Sequence, residues 1–352
     1  MKYFRSILIT IVGFLFFCAG SHSVAVGRIA DSDSRTIFKI TYPGQIPGEW
    51  CTPGIFYMLG EKNPINVHLT SVNYSLGRVK VGNRLIMPAK GQKLVIVHYG
   101  LQNPTSRKCT VNQDTIYWSL TNTDGRRLDR SIATGVEATW VVLNQSLDPG
   151  QKIYVYAIFP VSAKSQVKTL IASNRLESGT QAAQYDLTNQ IPPLKAPYTD
   201  PYQNTGYVLR DPVPGVRNTT YMYGLYDINV SGVDFPAGTF AGKVSKSGRQ
   251  MVLVTVEFTN CGITPLNIVA NTTLGNSNAE TCNQESGIYA EKTDSLVTTA
   301  ITPGQKIKVR LLYMVTQGTY LRDQTFKNTQ GPDIAIDLNQ YLVPGGKSTG
   351  KP

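Results

Sequence analysis

The chain has 352 residues, 41% hydrophobic and only 16% charged, a balance that excludes a disordered polymer and supplies cores for roughly two or three domains. Its formal net charge is +11 at pH 7, so an exported form would carry a basic surface. No window sustains an apolar period of 3.6 residues, which excludes a helix-rich architecture; 31 glycines and 20 prolines instead punctuate short strands.

Residues 1–25 read as a signal peptide. Lys2 and Arg5 form a basic start, Ile7 to Gly20 is an apolar stretch too short for a comfortable span, and Ser23-Val24-Ala25 is a cleavage site of small residues. The predicted location is secreted or periplasmic, with no membrane span in the mature chain. An uncleaved anchor is the alternative, because no charged residue stands between Arg5 and Arg28. A lipoprotein signal is disfavoured by the bulky Phe17 before Cys18. Residues 26–59 begin loosely, then carry Trp50, Phe56 and Tyr57 among glycines and prolines; this segment is expected to pack on the first domain, pinned by Cys51.

Residues 60–190 hold the first set of strand patterns and residues 223–341 the second. "LTSVNY" from Leu69 resembles "VSGVDF" from Val230. "GQKLVIVHYGLQN" from Gly91 matches "GRQMVLVTVEFTN" from Gly248, both continuous β-branched runs closing on Asn. "LDPGQKIYVYAIF" from Leu147 matches "ITPGQKIKVRLLY" from Ile301: proline fixes φ, glycine supplies the reversal, and an alternating strand follows. In these strands Ile153, Val155, Ala157 and Phe159 share one face, as do Ile307, Val309, Leu311 and Tyr313. "YDLTNQ" from Tyr185 resembles "IDLNQY" from Ile336. Between Ser119 and Asp129, Asp124-Gly125 marks a hairpin. Four segments recurring in one order predict duplication of one module. The expected fold class is all-β, two tandem immunoglobulin-like β-sandwich domains joined by a Pro-rich linker at 191–222, which contains six prolines between Ile191 and Tyr221, with a disordered tail at 342–352.

This order of strands and turns resembles the secreted bacterial immunoglobulin-like modules of unknown function related to the mycobacterial secreted antigen family. The resemblance covers Leu69 to Val161 and Val230 to Thr316, just over half of the mature chain. It implies a β-sandwich, export and an adhesion or interaction role, and it brings no catalytic residues. Two modules depart from that family's usual single-domain form.

Export places the remaining cysteines, Cys51, Cys109, Cys261 and Cys282, in an oxidising compartment, where disulfides are expected. Four cysteines allow three pairings. Local pairing, Cys51–Cys109 and Cys261–Cys282, keeps each bridge within one module and would contribute roughly 4 and roughly 3 kcal/mol. A zinc site is disfavoured, since no Cys-x-x-Cys occurs.

No catalytic fingerprint is present: no Gly-x-Ser-x-Gly, no His-Glu-x-x-His, no phosphate loop and no dinucleotide motif. The expectation is a non-enzyme with no cofactor, metal or catalytic residue. His98, inside an apolar strand, would become a catalytic candidate only if an acid and a hydroxyl joined it in an open cleft. Residues 60–190 hold fifteen Lys and Arg against eight acids, whereas residues 223–340 hold nine against ten. Arg78, Lys80, Arg84, Lys90, Lys93, Arg126, Arg127 and Arg130 are therefore the candidate anion-binding residues. "YMYGLY" from Tyr221 is either an aromatic sugar platform or, the preferred reading, packing. The expected partner is a protein, in adhesion or envelope assembly. The alternative is an anionic polysaccharide or lipid headgroup on the basic face; nucleic acid is disfavoured.

Overall fold

The β-branched and alternating runs form strands throughout the computed structural model, which describes residues 50–128, 130–175, 182–203 and 206–345. The signal peptide, most of the N-terminal segment and the last tail residues lie outside the described residues. Among the described residues there is no helix.

The first half contains β1 Phe56–Leu59, β2 Ile65–Ser75, β3 Val79–Val81, β4 Arg84–Ile86, β5 Gln92–Gln102, β6 Cys109–Asn112, β7 Ile116–Asn122, β8 Arg127–Leu128, β9 Ala133–Val136, β10 Asn144–Leu147, β11 Lys152–Ser162, β12 Val167–Asn174 and β13 Ala182–Asp186. The second half contains β14 Val213–Gly215, β15 Thr220–Tyr223, β16 Tyr226–Asp234, β17 Thr239–Phe240, β18 Lys243–Val244, β19 Arg249–Asn260, β20 Thr272–Asn276, β21 Thr281–Asn283, β22 Tyr289–Ala290, β23 Lys306–Thr316, β24 Leu321–Phe326 and β25 Ile334–Asp337.

Sheet β1-β2-β5-β11-β9 faces sheet β13-β12-β7-β8. Val97, Tyr99, Val155 and Phe159 from the first meet Trp118, Leu120, Leu170 and Tyr185 from the second, so the alternating faces close a sandwich core. Sheet β15-β16-β19-β23-β22 likewise faces β14-β25-β24-β20-β21, with Val254, Val256, Val309 and Leu311 against Leu274, Leu321, Phe326 and Ile336. The two cores share no residue. The long strands are covered on their outer faces as well. The β3–β4 ribbon lies on Leu94, Tyr156 and Ile158, and Phe240 of the β17–β18 ribbon lies on Met251, Leu253 and Leu312. Tyr156 is thus buried, which one-sided alternation does not predict.

Each recurring segment does the same mechanical task twice. Leu69-Thr70-Ser71 and Val230-Ser231-Gly232 both hold a register shift against the neighbouring long strand, where one extra residue bends the strand. Asp148-Pro149-Gly150-Gln151 and Thr302-Pro303-Gly304-Gln305 close with i→i+3 bonds of 3.0 Å from the Gln amides, and Gly150 and Gly304 take φ of 75° and 78°, the type II pattern. The Asn ending each long strand is fully buried against that turn. The Asn103 amide donates to Arg107 O (2.7 Å) and Leu147 O (3.0 Å) while its oxygen accepts from Thr105 N (2.9 Å). The Asn260 amide donates to Thr264 O (2.9 Å) and Ile301 O (2.7 Å), and its oxygen accepts from Gly262 N (2.7 Å). Tyr57 and Tyr221 each accept a backbone amide from five residues upstream at 2.8 Å. In the β7–β8 hairpin only Gly125 takes positive φ, so Asp124 is not left-handed as its pairing with glycine suggested.

Several domain boundaries differ from the sequence reading. The Pro-rich stretch is not a free spacer. Ile191 joins the first core, Leu209 N bonds Ala163 O at 3.0 Å, and Tyr207 packs edge-on to Tyr74 at 5.8 Å. From Val213 the same stretch supplies β14 and β15 to the second sandwich, because its Val-Pro-Gly and Thr-Tyr-Met-Tyr segments can pair with open sheet edges. The tail is packed where it begins: Val343 is buried in the second core, and its amide bonds Thr319 O at 2.8 Å.

No bridge joins Cys51, Cys109, Cys261 or Cys282 to one another, contrary to the expected disulfides. Geometry explains the second pair. Cys261 follows the last residue of β19, whereas Cys282 sits beside Arg249 at its start. Twelve strand residues at about 3.3 Å each separate the ends by roughly 36 Å, far beyond a disulfide's reach. Cys51 lies against β13, its amide bonding Gln184 O at 2.6 Å, while Cys109 stands in the separate β6–β10 ribbon. Burial pushes the Cys51 thiol up to about 11, so it is a poor nucleophile at neutral pH.

Lys93 is fully buried and is not part of an exposed basic face. Its ammonium lies 4.3 Å from the Tyr74 ring centre and donates to Tyr207 O, pinning the Pro-rich stretch. Burial lowers its pKa to about 8. Between about pH 8 and 10.5 the unfolded chain keeps a proton that the folded chain has released, so stability rises with pH across that window. Below pH 8 both states are charged and the burial cost is complete. Denaturant unfolding of the wild type at successive pH values is expected to show this rise, and Lys93→Met to abolish it. A Lys93→Met profile parallel to the wild type would refute the assignment.

Candidate functional site: an aromatic groove on the first sandwich

The outer face of the first large sheet holds an open groove of about 680 Å³, lined by Ser75, Arg78, Val79, Lys80, Ile96, His98, Glu137, Trp140 and Tyr156. Strand alternation accounts for its floor: Val97 and Tyr99 point into the core, which turns Ile96 and His98 outward, and Tyr156 lies opposite His98 on β11. His98 Nδ1 meets Glu137 Oε1 at 2.8 Å, and its ring lies 6.2 Å from that of Tyr156. The Tyr156 hydroxyl donates to Lys80 O. Gly135 is required here, because a Cβ on it would meet the Tyr156 hydroxyl at 2.5 Å.

Trp140 forms the rim. It ends the loop after β9 in the left-handed region, φ 57°, a position that glycine or asparagine normally fills. Its amide bonds Val136 O at 2.7 Å and its carbonyl accepts from Gly82 N at 2.5 Å, so the β3–β4 turn clamps the strained residue. The indole is 53% exposed, and Val141 and Val142 beside it are exposed too. Left-handed backbone in a bulky residue costs about 1–2 kcal/mol, and here it holds an aromatic ring out beside a groove. Lys80 stands 5.5 Å from the Trp140 ring centre.

The second sandwich lacks this opening. Thr255 replaces His98 in the matching strand, and Arg310 replaces Tyr156. Arg310 lies 4.7 Å over Phe240 and donates to Ala290 O (3.3 Å) and Thr293 O, filling the corresponding space.

The eight basic residues singled out from the sequence are not gathered on one face. Arg78 is 14% exposed and turns toward the second half, where Nε donates to Gly224 O (2.8 Å), Nη1 to Asp227 Oδ1 (2.9 Å) and Nη2 to Tyr226 O (2.5 Å). Lys90 pairs with Asp211 (3.3 Å) and Asp333 (2.5 Å). Lys93 is internal. Arg130 pairs with Asp114 at 3.2 Å beside Arg84, and Arg175 shares that carboxylate at 2.6 Å. Arg126 and Arg127 flank the β7–β8 turn, with Arg127 Nε on Ser119 Oγ at 2.7 Å. Only Lys80, together with the edge of Arg78, faces the groove. Two cations of the first half, Arg78 and Lys90, are therefore met by carboxylates from beyond it.

His98 does acquire an acid, Glu137, in an open groove, and Ser75 and Tyr156 supply hydroxyls to the same lining. The Ser75 hydroxyl accepts from Gly77 N at 3.0 Å and the Tyr156 hydroxyl is bonded to Lys80 O; among the described residues neither is hydrogen-bonded to His98. His68 stacks on Phe56 at 4.8 Å, and burial, then the charge of Lys152, lowers its pKa. Among the described residues no three metal-ligating side chains come together, and no helix is long and apolar enough to cross a membrane. Tyr221, Tyr223 and Tyr226 are buried in the second core, so "YMYGLY" is packing rather than a platform. Sequence reasoning missed Glu137, Trp140 and Tyr156 as a group. The single signal was a tryptophan inside the loop "GVEATWVV".

The fold and groove define a β-sandwich protein with an aromatic surface cleft. No protein-family model matches the chain, and no curated protein does. It is similar to an uncharacterized β-sandwich protein from Clostridium difficile 630, at 12% identity and a TM-score of 0.30, over 37% of this chain and 95% of that one. It is also similar to a candidate lipoprotein from Bacillus subtilis strain 168, at 15% identity and a TM-score of 0.27, over 34% of this chain and 38% of that one.

Proposed function

We propose that this chain is a non-enzymatic exported binding protein of the cell envelope, acting in adhesion or assembly, with the groove on its first sandwich as the contact site. The observation that carries the reading is Trp140: a bulky residue held in left-handed backbone, with its indole at the rim of a 680 Å³ groove. The basic start and apolar stretch of residues 1–25 support export as a cleaved signal peptide. The shared strand order of the two large sheets and the paired Asn103 and Asn260 clamps support duplication of one immunoglobulin-like module. They also support kinship with the secreted bacterial modules that the sequence resembles. One copy then kept an open groove and the other filled it with Arg310. The His98–Glu137 pair acts as a polar binding element in this reading.

The test is surface plasmon resonance of the protein against solubilised envelope from its source organism. Trp140→Ala is expected to weaken binding about ten-fold or more, as loss of a buried aromatic anchor does. Tyr202→Ala, at a residue 90% exposed on the Pro-rich stretch, is expected to change nothing. Equal binding by wild type and Trp140→Ala would rule out the groove.

A further inference from the structure

Taking the groove as the binding site, we infer that its occupant is an acidic saccharide, a pyranose carrying a carboxylate. Three features of the lining converge on this chemistry. The Trp140 indole offers a broad apolar face at an open rim, against which the weakly positive C–H face of a pyranose stacks without losing its hydroxyls to a dry interior. The His98–Glu137 pair, bonded Nδ1 to Oε1 at 2.8 Å on the floor, leaves the second ring nitrogen, Nε2, and the second carboxylate oxygen, Oε2, as polar groups for a sugar's hydroxyls. Lys80 is exposed beside Trp140, and among the described residues no carboxylate pairs with it.

Charge narrows the class further. Arg78 lines the same groove but is engaged by Asp227, so Lys80 is the one cation of the lining left for a ligand, enough for a single carboxylate. Glu137 on the floor repels polyphosphates, which disfavours nucleotides and nucleic acid. The second sandwich gives an internal contrast. Where the first has Tyr156 and an open cleft, Arg310 spans Phe240, Ala290 and Thr293, so the basic residue there is consumed by the fold.

The test is titration of the full protein with tetragalacturonate and with neutral cellotetraose, read by calorimetry and by tryptophan emission. Tetragalacturonate is expected to bind, with quenching of Trp140, and cellotetraose to bind about ten-fold more weakly. Lys80→Gln is expected to bring the acidic sugar down to the neutral level. Raising salt from roughly 0.05 to 0.5 M should weaken the acidic sugar alone. Trp140→Ala is expected to abolish both. Equal binding of the two sugars, or no effect of Lys80→Gln, overturns the acidic assignment while leaving the groove as the site. Binding of neither sugar, with Trp140→Ala still impaired on envelope material, overturns the saccharide inference alone. Trp140→Ala at full strength on envelope material overturns both readings.

Discussion

Asn103→Ala is expected to lower the stability of the first sandwich by about 3–5 kcal/mol, and Asn260→Ala to do the same in the second. Each side chain is fully buried and makes hydrogen bonds, four for Asn103 and three for Asn260, that tie the end of β5 or β19 to the loops around the Pro-Gly turn. Truncation removes the side-chain donor from Leu147 O in the first sandwich and from Thr264 O in the second, and leaves Ile301 O with only the Leu266 amide at 3.0 Å, so buried acceptor capacity goes unmet. Asn260→Asp should be no milder: a carboxylate cannot donate to Thr264 O or Ile301 O, and it would bring a charge into the core. Urea unfolding distinguishes the two sites, because the three tryptophans, Trp50, Trp118 and Trp140, all lie in the first half. Asn103→Ala is expected to move the fluorescence midpoint strongly. Asn260→Ala is expected to move circular dichroism while leaving the tryptophan midpoint nearer the wild-type value. A loss below about 1 kcal/mol in both variants would mean that water replaces the clamp.

The second large effect concerns how the two sandwiches hold together. Arg78→Ala is expected to remove about 2–3 kcal/mol of docking between the halves and to lower Tm by about 5–10 °C. All three arms of this guanidinium are bonded to the second half, at Gly224 O, Tyr226 O and Asp227. Arg78→Lys should rescue little, since an ammonium lacks the planar fork that reaches three acceptors at once. Small-angle scattering should show a larger radius of gyration for the alanine variant, and amide exchange should quicken at Gly224 to Ile228. Unchanged scattering and exchange would shift the docking to Lys90, with Asp211 and Asp333, and to the Pro-rich stretch. Because Arg78 also lines the groove, Asp227→Ala offers a way to loosen the docking while every lining residue is kept, although it frees Arg78 from its carboxylate.

These two sites differ in how much of them could be read from sequence. Asn103 and Asn260 end aligned apolar runs just before recurring Pro-Gly turns, so a strand end was evident, though not the buried amide. Arg78, Lys90 and Lys93 looked like a cluster because they lie within sixteen residues. They separate because β2, β3 and β5 turn them to different sides: Arg78 toward Asp227, Lys90 toward Asp211 and Asp333, Lys93 inward against Tyr74. Spacing along a chain reports the same face only within one strand, and these residues span a ribbon and two turns. The cysteines misled for a related reason. Keeping the bridge within one module paired Cys261 with Cys282, but the chain between them crosses from one end of the sandwich to the other, since Cys261 follows the last residue of β19 and Cys282 sits beside Arg249 at its first.

What local sequence alone determined is the grammar of this protein: β-branched runs, the recurring segments from Leu69 and Val230, and proline followed by glycine before the strands at Lys152 and Lys306. Those signals act over a few residues, through backbone sterics and apolar alternation, and they need no knowledge of the rest of the chain. Tertiary structure decided the internal use of Arg78, Lys90 and Lys93, the insertion of residues 213–223 as strands, and the meeting of Glu137, Trp140 and Tyr156 around His98. Each of these rests on which sheet edge or carboxylate arrives from a distant part of the chain, and neither propensity nor periodicity carries that information.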